Sequence, residues 1–378
     1  MQKQLFLLFI SLSFFGCKEI QESPSIVQPT ENSINIDYAK GFQIDTKNGF
    51  KVLTVSNPWP GSDKQYKYAL VTDSTLAETI DGYDAVVKVP LSNIVVTSTT
   101  HIPSLEMLEV DDKLVGFPNL NYVSSEKIRQ RIDASEIREL GKNEDINTEV
   151  LIEMSPELVV TFAVEGGNKT VSTIQKTDIP VMYNSDWTEV HPLGKAEWIK
   201  FFGVLFGKEV KADSIFNQIE KDYNNAKELA AAASKSPTVL SGAMYKDIWY
   251  LPQGDSWAAK FIEDANGDYL WKESEGVGSL SLNLESVLEK GENAEYWIGP
   301  GQFISLNQLA EAHDVYEQFK AYETGEVYTF TANKGATGGV IYYELAPNRP
   351  DLVLKDMVKI LHPELLPDYE LYFFRKLE

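Results

Sequence analysis

The stretch Asn147-Thr-Glu149-Val-Leu-Ile-Glu153-Met-Ser-Pro-Glu-Leu158-Val-Val-Thr-Phe162 combines a helix start with a buried strand. Asn147 is a favoured N-cap residue, and an amphipathic run follows it. Residues 158–162 form a short apolar run rich in β-branched side chains, which is typical of a strand buried on both faces. The stretch therefore predicts one helix-strand unit of an α/β fold.

Further strands and helices alternate on both sides of this unit. Apolar runs predict strands at 94–97, 113–116, 179–182, 238–240, 248–251, 295–298 and 327–330, and helical periodicity predicts helices at 194–206, 208–233 and 351–361. Such alternation indicates βαβ units on parallel sheets, whose ligands bind at the carboxyl ends of the strands. Before them, alternating residues at 34–38, 50–55 and 66–71 predict antiparallel strands.

We therefore predict an α/β protein with two βαβ lobes joined by a single long helix and an extra antiparallel segment at the N-terminus. The N-terminal lobe covers 34–207, of which 34–90 is β-rich, the interlobe helix covers 208–235, and the C-terminal lobe covers 236–378. About 345 residues are enough for two hydrophobic cores.

The first residues indicate export and a lipid anchor. An uncharged run from Leu5 to Phe15 follows Lys3 and ends at Gly16-Cys17. The run is too short for a membrane-spanning helix, which needs about 20 residues, and is typical of a secretory signal. Cys17 is the one cysteine of the chain, so it has no internal disulfide partner. We expect 1–17 to be a lipoprotein signal with Cys17 lipidated, and the polar, proline-bearing 18–33 to be a tether.

The charge of the chain limits its partners. It has 34 Lys and Arg against 56 Asp and Glu, a net charge of −22. Nucleic acids require a basic surface, so they are not expected partners. An acidic exported surface is suited to a basic protein partner.

One motif occurs twice. Asn147-Thr-Glu149-Val-Leu-Ile-Glu153 and Asn283-Leu-Glu285-Ser-Val-Leu-Glu289 share the pattern Asn-x-Glu-x-aliphatic-aliphatic-Glu. Asn as N-cap places Glu149 and Glu285 in first helical turns, where the helix dipole stabilises a carboxylate. That stabilisation alone explains either acid, but the recurrence suggests that both acids face one partner.

These features together resemble the bacterial solute-binding proteins for iron-siderophores, haem and cobalamin that serve ABC importers. The resemblance covers about 90–378 and lies in four segments, residues 94–117, 147–160, 281–285 and 349–363. It implies a rigid interlobe helix, a ligand held between the lobes, and docking of Glu149 and Glu285 to arginines of the two permease subunits. The 34–90 segment departs from the family pattern.

The expected ligand contacts follow the strands of both lobes: Ser98, Thr99, Thr100, His101, Tyr122, Tyr183, Trp187, Trp249, Trp257 and Arg349. Tyr and Trp provide large apolar faces with a polar group, which are suited to a planar or catecholate-bearing complex. The family places ligand contacts where His101 lies, so His101 is expected to coordinate iron or cobalt or to bond to the chelator, whereas a surface or N-capping histidine is the alternative.

The sequence thus predicts an exported, membrane-anchored monomer, facing the periplasm, that captures a ferric siderophore and delivers it to an ABC permease dimer. Cobalamin or haem is the alternative ligand, and an exported hydrolase is the alternative of another class. An enzyme is not expected because the chain lacks a Gly-x-Ser-x-Gly elbow, a phosphate loop and a His-Glu-x-x-His motif. We expect no cofactor and no bare metal site, since the four histidines lie in different segments.

Overall fold

The computed structural model describes residues 34–47, 49–166 and 169–378, in which a small N-terminal sheet precedes two mainly parallel sheets. The predicted signal, Cys17 and the tether at 18–33 lie outside the described residues. The N-terminal sheet has the order β1-β2-β3-β4, with β1 (Phe42–Lys47), β2 (Phe50–Ser56), β3 (Gln65–Val71) and β4 (Ala85–Lys88), and α1 (Ser74–Ala77) between the last two.

The pairing in this sheet differs in part from the prediction. β1, β2 and β3 pair antiparallel as expected, whereas β4 pairs parallel with β3. Residues 34–38 form no strand, and β1 instead begins at Phe42.

The second sheet is wholly parallel and has the order β11-β10-β5-β6-β7. Its strands are β5 (Ile94–Val96), β6 (Leu114–Phe117), β7 (Arg138–Glu139), β10 (Val159–Thr161) and β11 (Val181–Tyr183), and β8 (Gly141–Lys142) with β9 (Asp145–Ile146) forms a separate hairpin. The helices between them are α2 (Ile102–Met107), α3 (Glu126–Asp133), α4 (Thr148–Met154) and α5 (Lys169–Ile174). Three of these strands, β5, β10 and β11, are buried throughout, and the β-branched composition of β5 and β10 predicts this burial.

Three consecutive helices follow this sheet: α6 (Pro192–Glu197), α7 (Ile199–Leu205) and α8 (Glu209–Ala231). The first two are buried along their whole length and are separated at Trp198, where one helix was predicted. In α8 the buried residues recur every three or four positions, as in an amphipathic helix, and they are Ala212, Phe216, Ile219, Tyr223, Ala226 and Ala230. This stripe packs mainly against α7 and α14 (Pro350–Leu361), the closing helix.

The third sheet has the order β15-β12-β17-β18-β19 and is parallel except at β19. Its strands are β12 (Thr238–Ser241), β15 (Asp268–Tyr269), β17 (Tyr296–Ile298), β18 (Val327–Thr329) and β19 (Arg375–Lys376), and beside it β13 (Ala243–Tyr245), β14 (Ile248–Pro252) and β16 (Ser279–Leu282) form an antiparallel sheet. The remaining helices are α9 (Trp257–Asp264), α10 (Leu284–Gly291), α11 (Leu306–Ala312), α12 (Lys320–Glu323) and α13 (Ile341–Leu345). The mixed α/β architecture with parallel sheets is as predicted.

Two buried carboxylates fix the chain where it enters the N-terminal sheet. Glu197, at the end of α6, has no exposed surface, and its carboxylate accepts the backbone N–H groups of Asp37, Tyr38 and Ala39 at 2.7–2.9 Å. Lys200 donates to the same carboxylate at 3.0 Å. These N–H groups bond to side-chain oxygens rather than to a neighbouring strand, which explains why 34–38 is not part of the sheet.

Glu189 extends this arrangement by two residues. Its carboxylate accepts the backbone N–H groups of Lys40 and Gly41 at 2.8–3.0 Å and the indole N–H of Trp198 at 3.1 Å. We call Glu189 and Glu197 the carboxylate clamp. Hydrogen bonds to ionised groups are stronger than neutral ones, so the clamp holds 37–41 firmly against α6.

We predict that Glu197→Ala lowers the free energy of unfolding by about 3 kcal/mol, because it leaves three backbone N–H groups without their acceptor and removes the nearer of the two carboxylates that pair with the buried Lys200. Urea denaturation measures the change. Glu228→Ala, which removes an exposed acid of α8, is the control and should change stability by about 0.5 kcal/mol or less. Equal stabilities of the two variants would contradict the role of the clamp.

Candidate functional site

A large cavity lies among three separate parts of the chain and has a volume of about 1230 Å³. We call it the main cavity. Its walls come from the N-terminal segment, from the residues that follow β11, and from the start of α9 with the residues before β16; their principal side chains are Tyr38, Lys40, Trp59, Trp187, Glu189, His191, Lys195, Trp257, Lys260 and Glu263. The aromatic rings give it apolar walls, and charged groups lie between them, as in typical ligand sites.

A smaller cavity, of about 290 Å³, lies at the carboxyl ends of β5, β6 and β10. Thr97, Ser98, Thr99, Phe117 and Phe162 line it from the second sheet. Residues near α13 lie opposite, and they are Gly339, Val340, Tyr343 and Glu344. Its position at the carboxyl ends of parallel strands is where α/β proteins bind ligands.

The expected ligand contacts divide between these two cavities. Ser98, Thr99 and Tyr122 line the smaller one, whereas Trp187 and Trp257 line the main one. The structure thus brings five of the ten predicted residues to a cavity wall.

Thr100 and Tyr183 lie close behind the walls. The hydroxyl of Thr100 donates to Asp186 at 2.8 Å, and its carbonyl accepts from Asn348 at 2.8 Å. Tyr183 is buried, with its ring 4.7 Å from that of Tyr66. Both therefore support wall residues rather than lining a cavity.

Three expected contacts lie elsewhere, and His101 is the clearest case. Its ring has no exposed surface and packs 5.6 Å from that of Phe202, because the turn Thr99–His101 directs it inward against α7. Burial lowers the pKa of His101 to about 4, so the ring is neutral. His101 was expected to contact the ligand, but the structure instead places it in the core.

Trp249 and Arg349 also make their contacts with other residues of the protein rather than at a cavity wall. Trp249 is fully buried, stacks on Trp297 at 5.5 Å, and donates its indole N–H to Ser241. Arg349 makes two hydrogen bonds, of 2.7 and 2.9 Å, to the carboxylate of Asp351 at the start of α14. Neither residue lines the main cavity or the smaller one.

Several residues that line the main cavity were not predicted from the sequence as ligand contacts. Lys195 is the most unusual: it is buried, and its ammonium group donates to the carbonyls of Asp186 and Trp187 at 3.1 and 2.9 Å. It also lies 5.3 Å from the centre of the Trp257 ring. Burial lowers the pKa of Lys195 to about 8, and Asp186 and Glu189 counteract that effect, so Lys195 remains mostly protonated near neutral pH.

Direct metal ligation has no visible site in the described part of the molecule. Across 34–47, 49–166 and 169–378, no three His, Cys, Asp or Glu side chains come together as ligands. Two of the histidines act as helix caps instead, because His191 and His313 accept backbone N–H groups through Nδ1 at 3.1 Å. No helix in these ranges combines the length and hydrophobicity that a bilayer span requires.

The two repeated acids occupy the predicted positions. Asn147 and Asn283 cap α4 and α10 by accepting the backbone N–H three residues on, at 3.2 and 2.8 Å. Glu149 and Glu285 lie in the first turns of these helices and are exposed. The local prediction is thus confirmed for both helices.

Comparison with known proteins agrees with this architecture. The family model described as "Periplasmic binding protein" matches residues 94–333, which is more than half of the chain. The chain therefore belongs to this family, which consists of solute-binding proteins rather than enzymes. The resemblance identified from sequence is confirmed.

Two relatives from Methanocaldococcus jannaschii are described as uncharacterised lipoproteins. One is 26% identical over 347 residues, covering 85% of this chain and 81% of the relative. The other is 23% identical over 408 residues and covers both chains fully.

Solved structures of low sequence identity have the same fold. A possible iron-binding periplasmic solute-binding protein from Staphylococcus epidermidis has a TM-score of 0.56 at 14% identity, over 72% of this chain and 99% of its own. An ABC transporter substrate-binding protein from Listeria monocytogenes has a TM-score of 0.52 at 18% identity, over 72% and 99%. A periplasmic haem-binding protein from Roseiflexus has a TM-score of 0.52 at 15% identity, over 71% and 99%.

One buried acid joins the residues just before α3 to α13, which lies between β18 and β19 in the chain. Glu344 of α13 is 4% exposed, and its carboxylate accepts the backbone N–H groups of Ser124 and Ser125 at 2.7 and 2.8 Å. Burial, with a contribution from Glu106, raises the pKa of Glu344 from 4.5 to about 7. The native state therefore binds this proton more tightly than the unfolded chain does.

We predict that the stability contributed by Glu344 is fully present below about pH 4.5 and is lost as the pH rises through about 7. A shift of this size is equivalent to about 3 kcal/mol at most. Glu344→Gln should flatten this part of the unfolding free energy when it is measured against pH. Glu364→Gln, at an exposed site, should leave the profile unchanged; a wild-type profile in Glu344→Gln would contradict the assignment.

Proposed function

We propose that this protein is the exported, lipid-anchored substrate-binding component of an ABC importer, and that it captures a ferric siderophore in the main cavity. The observation that carries the proposal is the cavity of about 1230 Å³ with Trp59, Trp187 and Trp257 in its walls. Its volume is above the range of about 300–1,000 Å³ typical of small-ligand pockets. A bulky complex with flat rings matches this space better than a bare ion or a single sugar.

The charges at the walls are consistent with such a complex. Lys40 and Lys195 line the main cavity, and among the described residues neither makes an ion pair with a carboxylate. The Glu189 carboxylate beside them is occupied by backbone N–H groups. The walls carry as many acidic as basic residues, but these two ammonium groups are free to pair with acidic groups of a chelator. The metal would arrive with its own ligands, since no cluster of protein ligands exists among the described residues.

Delivery would follow the two-lobed scheme implied by the family. In this proposal the residues around the second sheet form one lobe and those around the third sheet form the other. The helix α8 joins them, and its buried stripe limits how far they move apart. Cys17 holds the protein at the membrane through a lipid, and the protein works as a monomer opposite a permease dimer.

We predict that a ferric siderophore quenches the fluorescence of the wild-type protein saturably, because Trp187 and Trp257 line the main cavity. Titrations with ferric tris-catecholate and tris-hydroxamate siderophores, haemin and cobalamin distinguish the proposed ligand from its alternatives. Trp187→Phe and Trp257→Phe should each reduce the quenched fraction. Trp271→Phe, at a buried site outside both cavities, is the control and should not.

The identity of the molecule that binds distinguishes a siderophore from the other classes of ligand. Saturable binding of haemin or cobalamin alone would replace the siderophore within the same transport function. No response to any of the four complexes, together with binding of a sugar or an unchelated metal, would contradict the proposal.

We further predict that Glu149→Ala and Glu285→Ala lower importer-stimulated ATP hydrolysis while leaving solute affinity within about twofold of wild type. The reason is that both acids are exposed on α4 and α10 and line neither cavity. Glu153→Ala and Glu289→Ala remove the second acid of each repeated motif and are the matched controls. Equal ATP hydrolysis in all four variants would contradict the docking role.

A further inference from the structure

The N-terminal sheet contributes to the same cavity as the two parallel sheets do. Lys40, Trp59 and neighbouring residues of the β2–β3 turn line the main cavity together with Trp187 and Trp257. The family model begins at residue 94, so this sheet lies outside the part of the chain that matches it. A wall of the cavity is therefore built from residues outside the matched region.

The β2–β3 turn, residues 57–62, has a defined conformation. Asn57 donates its backbone N–H to Lys64 at 3.0 Å, and Ser62 donates to Trp59 at 3.1 Å. Asn57 and Gly61 both have a positive φ, of 50° and 76°, which Asn and Gly tolerate best. Such a turn holds its tryptophan in one place.

Trp59 itself is packed against several neighbours, and the Lys64 ammonium group lies 5.5 Å from the centre of its ring. Its ring lies 6.2 Å from that of Tyr183 in an edge-to-face arrangement. Gly166 lies so close that a Cβ atom there would be 3.3 Å from the indole. The residue as a whole is 9% exposed, and it lines the main cavity.

The sheet is also anchored to the rest of the molecule at several points. The carboxylate clamp holds residues 37–41. Lys51 of β2 pairs with Glu209 of α8 at 2.8 Å, and the hydroxyl of Tyr68 in β3 accepts the backbone N–H of Tyr183 at 3.0 Å. The turn is consequently a fixed part of the wall.

We propose that the β2–β3 turn is a specificity-determining wall of the solute site, and that Trp59 selects solutes with a flat, unsaturated ring system. Trp59, Trp187 and Trp257 offer indole surfaces to one space, and flat rings make favourable stacked or edge-to-face contacts with indole. The inference rests on the proposed function in placing the transported solute in the main cavity. It adds that residues before 94 decide which solute is accepted.

The test uses the full chain and a metal-free probe, 8-anilinonaphthalene-1-sulfonate, whose flat rings become fluorescent in apolar sites. We expect Trp59→Ala and Trp59→Leu each to weaken its binding by about fivefold or more, and Trp59→Phe to retain affinity within about threefold of wild type. Tyr83→Ala, in the separate small core on this sheet, is the matched control and should bind within about twofold of wild type. Comparing leucine with phenylalanine separates loss of the flat ring from loss of apolar volume, and circular dichroism checks that each variant is folded.

Three results would overturn the inference: no binding of the probe to wild type, a loss below about fivefold in either Trp59→Ala or Trp59→Leu, or an equal loss in Tyr83→Ala. Displacement of the probe by a ferric siderophore separates this inference from the proposed function. Suppose that Trp59 controls probe binding but no iron complex displaces the probe. The specificity role of the β2–β3 turn is then supported, and the proposal that the ligand is an iron chelate is wrong. If the siderophore binds wild type and all Trp59 variants equally, the β2–β3 turn does not determine specificity, and the proposed function remains.

Discussion

The carboxylate clamp is the constraint on which the candidate site depends. Glu189 and Glu197 flank the short helix α6, and between them they accept the backbone N–H groups of all five residues from 37 to 41. Removing a shielded N–H group from its acceptor costs free energy. These hydrogen bonds therefore stabilise residues 37–41 in their position beside α6. The clamp therefore determines where the N-terminal sheet begins and where Tyr38 and Lys40 meet the main cavity.

The helix α6 also supplies Lys195, one of the cations that line the main cavity. Lys195 lies between Glu189 and Glu197 in sequence, and its burial is compensated by two carbonyl acceptors and nearby carboxylates. One short stretch thus binds the N-terminal segment and also lines the main cavity. A molecule bound beside Lys195 would therefore also lie near residues of the N-terminal segment that line the same cavity.

Local chemistry was enough to predict much of the fold. The β-branched runs at 94–96 and 159–161 are buried strands of one parallel sheet, and Asn147 and Asn283 cap the helices expected after them. Each of these signals depends only on neighbouring residues, which is why the sequence was sufficient. The closing helix at Pro350–Leu361 follows from its apolar periodicity in the same way.

Features set by distant contacts were not predicted. His101 ends a polar loop in the sequence, yet the packing of its turn against Phe202 buries it. Residues 34–38 alternate like a strand, but the Glu197 carboxylate, more than 150 positions away, accepts the N–H groups of Asp37 and Tyr38. Nothing near Trp59 in the sequence indicates that its ring packs near Tyr183 or that it lines a cavity together with Trp187.

Mass spectrometry and absorption spectroscopy of the protein purified intact from its native host would identify the solute itself. We predict a bound small molecule whose mass equals that of an iron complex and whose spectrum shows the charge-transfer band of a ferric siderophore. Recovery of a sugar or of an unchelated metal ion bound stoichiometrically would contradict the proposed capture of an iron chelate.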